Sequence, residues 1–362
     1  MKKNKTKILV AMSGGVDSSV AAQLLKNQGY DVVGVFLHFW KDDSAPENTA
    51  ENKCCSLQAL LDARAVAQRV GIPLHTFNFA APFKKEVVDY FLEEYQCGKT
   101  PNPCVKCNKK IKIGRLLEYA QGLGFDYVAT GHYLNIKKVG KNIKVYCAKD
   151  KNKDQSYFLY TFAPEQWRHL MFPLGNYTKP QVRALAKKFN LPVAEKSDSQ
   201  EICFIPGKHH NDFLKRYIKM KPGDVKLIDE NNKVIGHHQG LPLYTIGQRR
   251  GVEIGGDGPY YVAKFDWENN DLYVVRQFDD PIFFGRELTA NSVSWISGKE
   301  SKMPFKCEAV IRYRHPAVKC TVEKNDTGDY LVKFVVPQRA ITPGQSIVFY
   351  NKKEVLGGGV IN

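Results

Sequence analysis

No stretch of the sequence approaches the ~20 continuous apolar residues that a membrane-spanning helix requires. The apolar run at residues 8–12, behind a basic start, is also shorter than the ~7 to 15 residues of a secretory h-region. Neither a membrane span nor a secretory leader is expected, and a cytosolic location is. No segment recurs with a period of ~20 to 50 residues, which argues against a solenoid or propeller. Low-complexity tracts are missing as well, and with 43% hydrophobic and 25% charged residues the chain reads as folded throughout. Acidic residues are in short supply: 37 Asp and Glu face 53 Lys and Arg, a net charge of +16. Such a surplus favours polyanionic partners, nucleic acid first. The same basic residues also serve solubility, so charge supports a case and does not make it. The nine cysteines are odd in number. In a cytosolic chain they read as thiols, metal ligands or redox catalysts and not as structural staples.

At 362 residues the chain exceeds the ~250 to 300 at which single cores stop growing, so two or three cores are expected. A strand at 7–12 runs into Ser13-Gly-Gly-Val-Asp-Ser-Ser19, and apolar positions then recur at helical spacing up to Gly29. A strand at 31–39, a helix at 57–70 closed by Gly71 and a strand at 73–79 follow. This alternation predicts an α/β domain, a parallel sheet with helices on both faces. The spacing of Phe83, Val87, Phe91 and Tyr95 predicts a helix over 82–97. Thr100-Pro-Asn-Pro103 breaks it before a helix beginning near Cys107, and a strand is expected over 126–133. Past residue 206 the helical signal thins apart from 211–218, and turn signals separate short β-rich runs. Three domains are expected: an α/β catalytic domain at 1–205, a small β-rich central domain at 206–281 and a C-terminal β-barrel at 282–362, with strands at 305–313, 319–323, 330–336 and 346–350.

The turn at Ser13 to Ser19 lacks the Gly-Lys-Ser/Thr ending of a Walker loop, which excludes a γ-phosphate grip by lysine. An anion still suits it. Gly14 and Gly15 let the backbone curl close to a phosphate, the amides sit at a helix N-terminus, and Ser13, Ser18 and Ser19 add hydroxyls. Asp17 could hold a magnesium ion bridging the phosphates. The bland alternative is a tight turn with Ser or Asp as N-cap. The whole string S-G-G-V-D-S-S, between a buried strand and a helix, resembles the PP-loop of N-type ATP pyrophosphatases, a Rossmann-like superfamily. That resemblance implies cleavage of ATP to AMP and pyrophosphate with adenylation of an oxygen on the acceptor.

Cys104-Val-Lys-Cys107 is half of a zinc pattern, and Cys54-Cys55 could complete it. Adjacent cysteines are poor partners for that pairing, so no structural metal is expected. Cys97, Cys147, Cys307 and Cys320 fall in helical or strand-like runs and read as ordinary buried thiols. Cys107 is expected to open a helix beside Lys109 and Lys110, and both features favour a reactive thiolate. Cys203 lies where a polar stretch turns apolar, on what reads as a mobile loop able to carry a sulfur atom.

Ser-Gly-Gly-Val-Asp-Ser, Thr100-Pro-Asn-Pro with Cys107-Asn-Lys, Ala129-Thr-Gly-His-Tyr133, Lys153-Asp-Gln-Ser-Tyr-Phe-Leu-Tyr160, Ser199 to Ile205, Gly247-Gln-Arg and Thr342-Pro-Gly-Gln345 together resemble the MnmA family of tRNA-specific 2-thiouridylases, from the first strand to the last. The resemblance implies ATP-dependent replacement of the C2 oxygen of a wobble uridine by sulfur, with tRNA as substrate and a monomeric enzyme. It implies ATP contacts by Ala11, Met12, Ser13, Gly14, Gly15, Val16, Asp17, Ser18, Leu37 and Gly131. Contacts to tRNA are implied for Asn102, Pro103, Cys104, His132, Lys153, Asp154, Gln155, Arg312, Tyr313 and Gln345. Cys203 is similar to the residue that takes up a persulfide from a relay protein or cysteine desulfurase, and Cys107 to its partner nucleophile. Either the persulfide attacks C2 and Cys107 releases the product sulfur, or Cys107 first liberates sulfide. Both routes end in a Cys107–Cys203 disulfide that must be reduced, and a flipped uridine is expected. Cys104 departs from the pattern, since the family commonly carries aspartate there, which leaves the acid/base role open. Read as a strand, Ile311-Arg-Tyr-Arg314 sends Arg312 and Arg314 to one face, suited to phosphates, and Tyr313 to the other. Two competing functions are another PP-loop ligase or amidotransferase, with no need of the two thiols, and a nonenzymatic basic RNA-binding module.

Overall fold

Ile8, Leu9 and Val10 are each at most 1% exposed, which requires cover on both faces of their strand. Their alternation divides the core: Leu9 and Ala11 pack into one apolar cluster, Ile8 and Val10 into another on the opposite side of the sheet. The computed structural model describes residues 5–45, 56–140, 142–197, 202–205, 210–249, 251 and 258–362.

Strand β1 (Lys7–Ala11) leads through the glycine turn into α1 (Val16–Asn27), followed by β2 (Asp31–His38), α2 (Leu57–Val70) and β3 (Leu74–Asn78). The Ser56 hydroxyl caps α2 by accepting from Ala59 N, and Gly71, with φ of 70°, closes it. One helical stretch runs from α3 (Ala80–Phe83) through a π-turn at Lys84–Asp89 into α4 (Tyr90–Gln96). A second runs from α5 (Pro103–Cys107) through a π-turn at Asn108–Lys112 into α6 (Gly114–Gly122). Next come β4 (Tyr127–Ala129), the hairpin of β5 (Leu134–Val139) and β6 (Asn142–Cys147), α7 (Pro164–Trp167), β7 (Leu170–Met171), α8 (Lys179–Lys188) and α9 (His210–Tyr217). Four short strands follow, β8 (Gly223–Leu227), β9 (Lys233–His238), β10 (Tyr261–Asp266) and β11 (Asp271–Val275). The chain ends in β12 (Phe284–Trp295), β13 (Phe305–Val310), β14 (Val318–Lys324), β15 (Tyr330–Arg339), β16 (Ser346–Asn351) and β17 (Glu354–Ile361).

The first sheet has the order β3-β2-β1-β4-β7 and is parallel throughout. Chain direction along the sheet reverses between β1 and β4, so the crevice beyond the carboxyl ends of these two strands is where a ligand belongs. A second sheet, β10-β11-β8-β9, forms the central unit. The last six strands close into a barrel through the β12–β17 pairing. The β5–β6 hairpin, which falls within the expected first domain, adds to this barrel sheet through β6 and β17. Buried tyrosines seal the same junction. Tyr160 Oη lies 3.1 Å from Ser346 Oγ and 3.0 Å from Gly359 O, and Tyr157 Oη donates to Ser346 O at 2.8 Å.

Three local expectations need correction. Cys107 does not open a helix: Asn102 is the N-cap of α5, its side chain accepting from Val105 N at 3.3 Å, and Pro103 takes the first turn, so Cys107 is the last residue. The proline break read as a helix end is the start of the next helix, and exposed Cys104 stands near its N-terminus. Cys97 is exposed, not buried, and Cys147 and Cys307 are half-buried. Strand β13 stops at Val310 and Arg314 has φ of 65°, so no alternation places Arg312 and Arg314 on one strand face.

Replacing Tyr160 by Phe keeps the packing and leaves Ser346 Oγ and Gly359 O without that hydroxyl. Denaturant unfolding of Tyr160→Phe should show a loss of about 1 to 3 kcal/mol. Ser346→Ala should be strongly non-additive with it in a double-mutant cycle.

Candidate active site

The turn after β1 is shaped by its glycines. Gly14 has φ of +66°, and a Cβ on it would collide with the carbonyl oxygen of Ala59 in α2. Gly15 is the N-cap of α1 and has no side chain to cap it, so no N-cap side chain takes the first-turn amides at the positive end of the helix. The serines chiefly brace the turn. Ser18 Oγ accepts from Ser13 N at 3.2 Å and donates to Gly15 O at 3.2 Å. Ser19, fully buried, donates to Gly15 O at 2.7 Å and so does not serve as a ligand donor as expected.

Asp17 is held from two sides. Lys179 Nζ donates to both carboxylate oxygens, at 2.7 and 2.8 Å, and Tyr133 Oη donates at 2.7 Å. Lys179 is the first residue of α8 and is 8% exposed; its backbone N donates to Asp150 Oδ2 at 2.8 Å. A second lysine, Lys196, reaches Gly14 O at 3.0 Å and Asp62 Oδ2 at 2.6 Å. Burial pushes the Asp62 carboxyl up, but its bonds to Lys196 and Gln58 outweigh this and hold it below its ordinary value. Neither lysine was singled out from sequence. The only sequence signal was Lys179 in the first turn of a helix whose start Thr178 and Pro180 mark.

On the other side of the crevice, Gly131 packs its Cα against the backbone of α1: a Cβ there would stand 2.7 Å from Ser18 N and 2.8 Å from Asp17 C. His132 follows, 7% exposed, with Nδ1 2.8 Å from Thr130 Oγ1 and its ring edge-on to Phe172. Burial, then the nearby Lys112 charge, pushes its pKa well below 6.5, so the imidazole is neutral at pH 7. Gln155 Oε1 accepts from Tyr133 N at 3.0 Å.

One pocket is lined by Ala11, Met12, Ser13, Asp17, Ser18, Leu37 and Gly131 together with His132, Gln155, Cys107 and Cys203. Phe39, Lys112 and Thr130 complete its wall. Gly14, Gly15 and Val16 build the turn without lining it. Cys107 is 8% exposed and Cys203 half-buried. The described part of the Cys203 segment, 202–205, is packed through its apolar residues. Phe204 packs on Phe83, Phe91 and Phe213 at centroid distances of 5.7, 5.3 and 5.6 Å, and Ile205 is 4% exposed. The positive surroundings of Cys107 are present: burial, then Lys110 and Lys106, holds Lys109 below its ordinary pKa, and Lys112 shares the pocket.

Other candidate residues lie apart. Asp154 turns inward, accepting from Ala148 N at 2.7 Å and Ser156 Oγ at 2.6 Å, and burial raises its pKa. Lys153 beside it is half-buried. Arg312 donates to Ala340 O at 3.2 Å and Thr342 Oγ1 at 3.1 Å, while Tyr313 packs on Phe158 at 4.5 Å. Arg312 and Gln345 line a second cavity with Thr100 and Thr245. Among the described residues no three His, Cys, Asp or Glu side chains converge as metal ligands. Cys54 and Cys55 lie outside the described residues.

Two outcomes follow from this geometry. Gly131→Ala, by pushing backbone against backbone, should weaken ATP binding in calorimetry and destabilise the fold by about 1 to 3 kcal/mol. The depressed His132 pKa means that below about 6.5 the unfolded chain binds a proton the folded chain refuses, so stability should fall with pH from that point down to the folded pKa. Denaturation curves of His132→Gln should lose that part of the slope.

Comparison with known proteins agrees along the whole chain. Residues 6–207 match the model described as "tRNA methyl transferase HUP domain", 211–276 the "tRNA methyl transferase PRC-barrel domain" and 285–361 the "Aminomethyltransferase beta-barrel domain". The tRNA-specific 2-thiouridylase MnmA 2 of Thermoanaerobacter sp. (strain X514) is 46% identical over 98% of this chain and 97% of its own length. The MnmA of Francisella tularensis subsp. mediasiatica is 46% identical over 98% and 99%. A solved complex of a 4-thiouridine synthetase with RNA and bound ATP aligns with 18% identity and a TM-score of 0.34 over 58% of this chain and 50% of that one, too slight a likeness to argue from. With this identity sustained from end to end, the chain belongs to the MnmA family of tRNA-specific 2-thiouridylases.

Proposed function

We propose that this chain replaces the C2 oxygen of a wobble uridine in tRNA by sulfur, consuming ATP, in the pocket beyond β1 and β4. The observation that carries the reading is the presence of two thiols, Cys107 and Cys203, on the wall of the same pocket as Ser13, Asp17 and Ser18. A ligase or amidotransferase with the same turn has no use for that pair.

The chemistry requires three provisions. A carbonyl oxygen is a poor leaving group. The C2 oxygen therefore attacks the α-phosphorus of ATP, pyrophosphate departs, and the oxygen later leaves as AMP. The amides of the first turn of α1 meet the triphosphate, and Lys179 compensates Asp17, whose carboxylate would otherwise repel it. Magnesium, which usually binds one or two carboxylates plus substrate phosphates, would arrive on the nucleotide and find a single carboxylate in Asp17; it would supply charge neutralisation at the phosphates.

Sulfur enters from a persulfide on Cys203, delivered by a relay protein or desulfurase. In the direct route its terminal sulfur bonds to C2, AMP leaves, and the Cys107 thiolate attacks the Cys203 sulfur. The S–S bond to the substrate breaks, its electron pair staying on the product sulfur, and a Cys107–Cys203 disulfide remains for a dithiol to reduce. In the alternative, Cys107 first attacks the persulfide, releasing sulfide that adds to C2. Neutral His132 and Gln155 on the pocket wall suit an uncharged pyrimidine edge. The net charge of +16 suits the tRNA backbone. ATP and tRNA meet in the cytosol, which is where this reaction would run. No helix among the described residues is long and apolar enough to cross a membrane.

Incubation with ATP, magnesium, sulfide and unmodified tRNA, followed by nucleoside analysis, should yield ATP-dependent 2-thiouridine that is lost in Asp17→Ala. With a persulfide donor in place of sulfide, Cys203→Ser should be inactive, and with sulfide it should recover. Cys104→Ser should retain more activity than Cys107→Ser with the persulfide donor. Equal loss in those two variants would mean that Cys107 is not the nucleophile.

A further inference from the structure

Cys107 ends α5, the first segment of the helical stretch that continues into α6, and the chain entering α5 is itself fixed by contacts with other parts of the protein. Thr100, three residues before Pro103, is held entirely by distant chain. Its N donates to Pro343 O at 2.9 Å, its carbonyl accepts from Gln345 Nε2 at 2.9 Å, and its hydroxyl lies 3.1 Å from that of Thr245. The same Gln345 amide reaches Pro101 O at 3.5 Å. Gly344, with φ of +89°, allows this approach, since a Cβ there would stand 3.0 Å from both Thr100 N and Thr100 O. Beyond the helix, Asn108 Nδ2 donates to Phe158 O at 3.2 Å, and Phe158 packs on Tyr313 from the barrel.

We propose that Gln345 is a positioning residue for the Cys104–Cys107 helix, its amide clamping the Thr100 and Pro101 carbonyls so that the barrel becomes part of the active site. This assignment rests on the reading of Cys107 as nucleophile. It gives Gln345 a task inside the protein, distinct from the tRNA contact implied by resemblance. Thr245, in the connection between β9 and β10, applies the same restraint from the central unit, so three parts of the chain meet on one backbone segment. A displacement of ~1 Å at a reacting group costs on the order of 100-fold in rate, which makes such a restraint consequential.

The decisive variants are Gln345→Glu, which keeps the size but points an acceptor at two carbonyls, and Thr245→Val, which loosens the loop from the other side. Each is assayed for thiolation with the persulfide donor, and for alkylation of Cys107 by iodoacetamide in tRNA-free protein, followed by peptide mass spectrometry as a function of pH. Both variants should lower kcat by about tenfold, change the KM for tRNA by less than about twofold and shift the alkylation rate of Cys107. A raised KM for tRNA with kcat and alkylation unchanged in Gln345→Glu would overturn the clamp and return Gln345 to a tRNA contact. Full turnover by Cys107→Ser would instead remove the nucleophile reading beneath it, and the two failures are thereby distinguishable.

Discussion

The pocket exists because two backbones are allowed to touch. Gly131, just past β4, lies against the Asp17–Ser18 peptide at the start of α1, closer than any side chain would permit. Gly14, with its positive φ and no Cβ, lets the turn lie against the Ala59 backbone of α2. These two contacts bring the exits of neighbouring parallel strands together at the reversal point of the sheet. Two wall residues are positioned from them: His132 follows Gly131 directly, and Asp17, which accepts from Tyr133, follows the glycine turn.

Charge around the glycine turn is arranged in pairs that answer to different elements. Asp17 from α1 meets Lys179 from α8, and Asp62 from α2 meets Lys196, which also takes the Gly14 carbonyl. The glycine turn and the start of α1 are thus braced by two lysines that are far from them in sequence. A carboxylate beside an anionic ligand is unfavourable in isolation and tolerable once paired. Within the turn, the Ser18 and Ser19 hydroxyls add local braces by donating to Gly15 O.

The thiol half of the site obeys a different logic. Cys203 is placed by an aromatic anchor, Phe204 among Phe83, Phe91 and Phe213, and Cys107 by a helix whose lead-in is restrained from the barrel and from the β9–β10 connection. The glycine turn and the two thiols therefore rest on separate supports that both reach the pocket. The β5–β6 hairpin and the Tyr157 and Tyr160 hydroxyls tie these supports together, since all three join the first sheet's connections to the barrel.

The sequence by itself determined what depends on near neighbours. Apolar period and caps placed α2 over the residues it occupies, the alternation of strands and helices predicted a parallel sheet, and the S-G-G-V-D-S-S string with its neighbouring motifs pointed to the family. Local period reports which face of an element is buried, and glycine reports where backbone must turn or touch, so these features are readable without a partner. It misread the start of α5, because a proline ends one helix and begins another equally well, and it extended β13 into a turn that only Arg314 φ reveals. Tertiary structure alone decided that Lys179 serves Asp17 across 162 positions and that Gln345 serves Thr100 across 245. It also set the β5–β6 hairpin on the edge of the barrel. Such pairings follow from strand order and domain contact, which no stretch of chain encodes on its own.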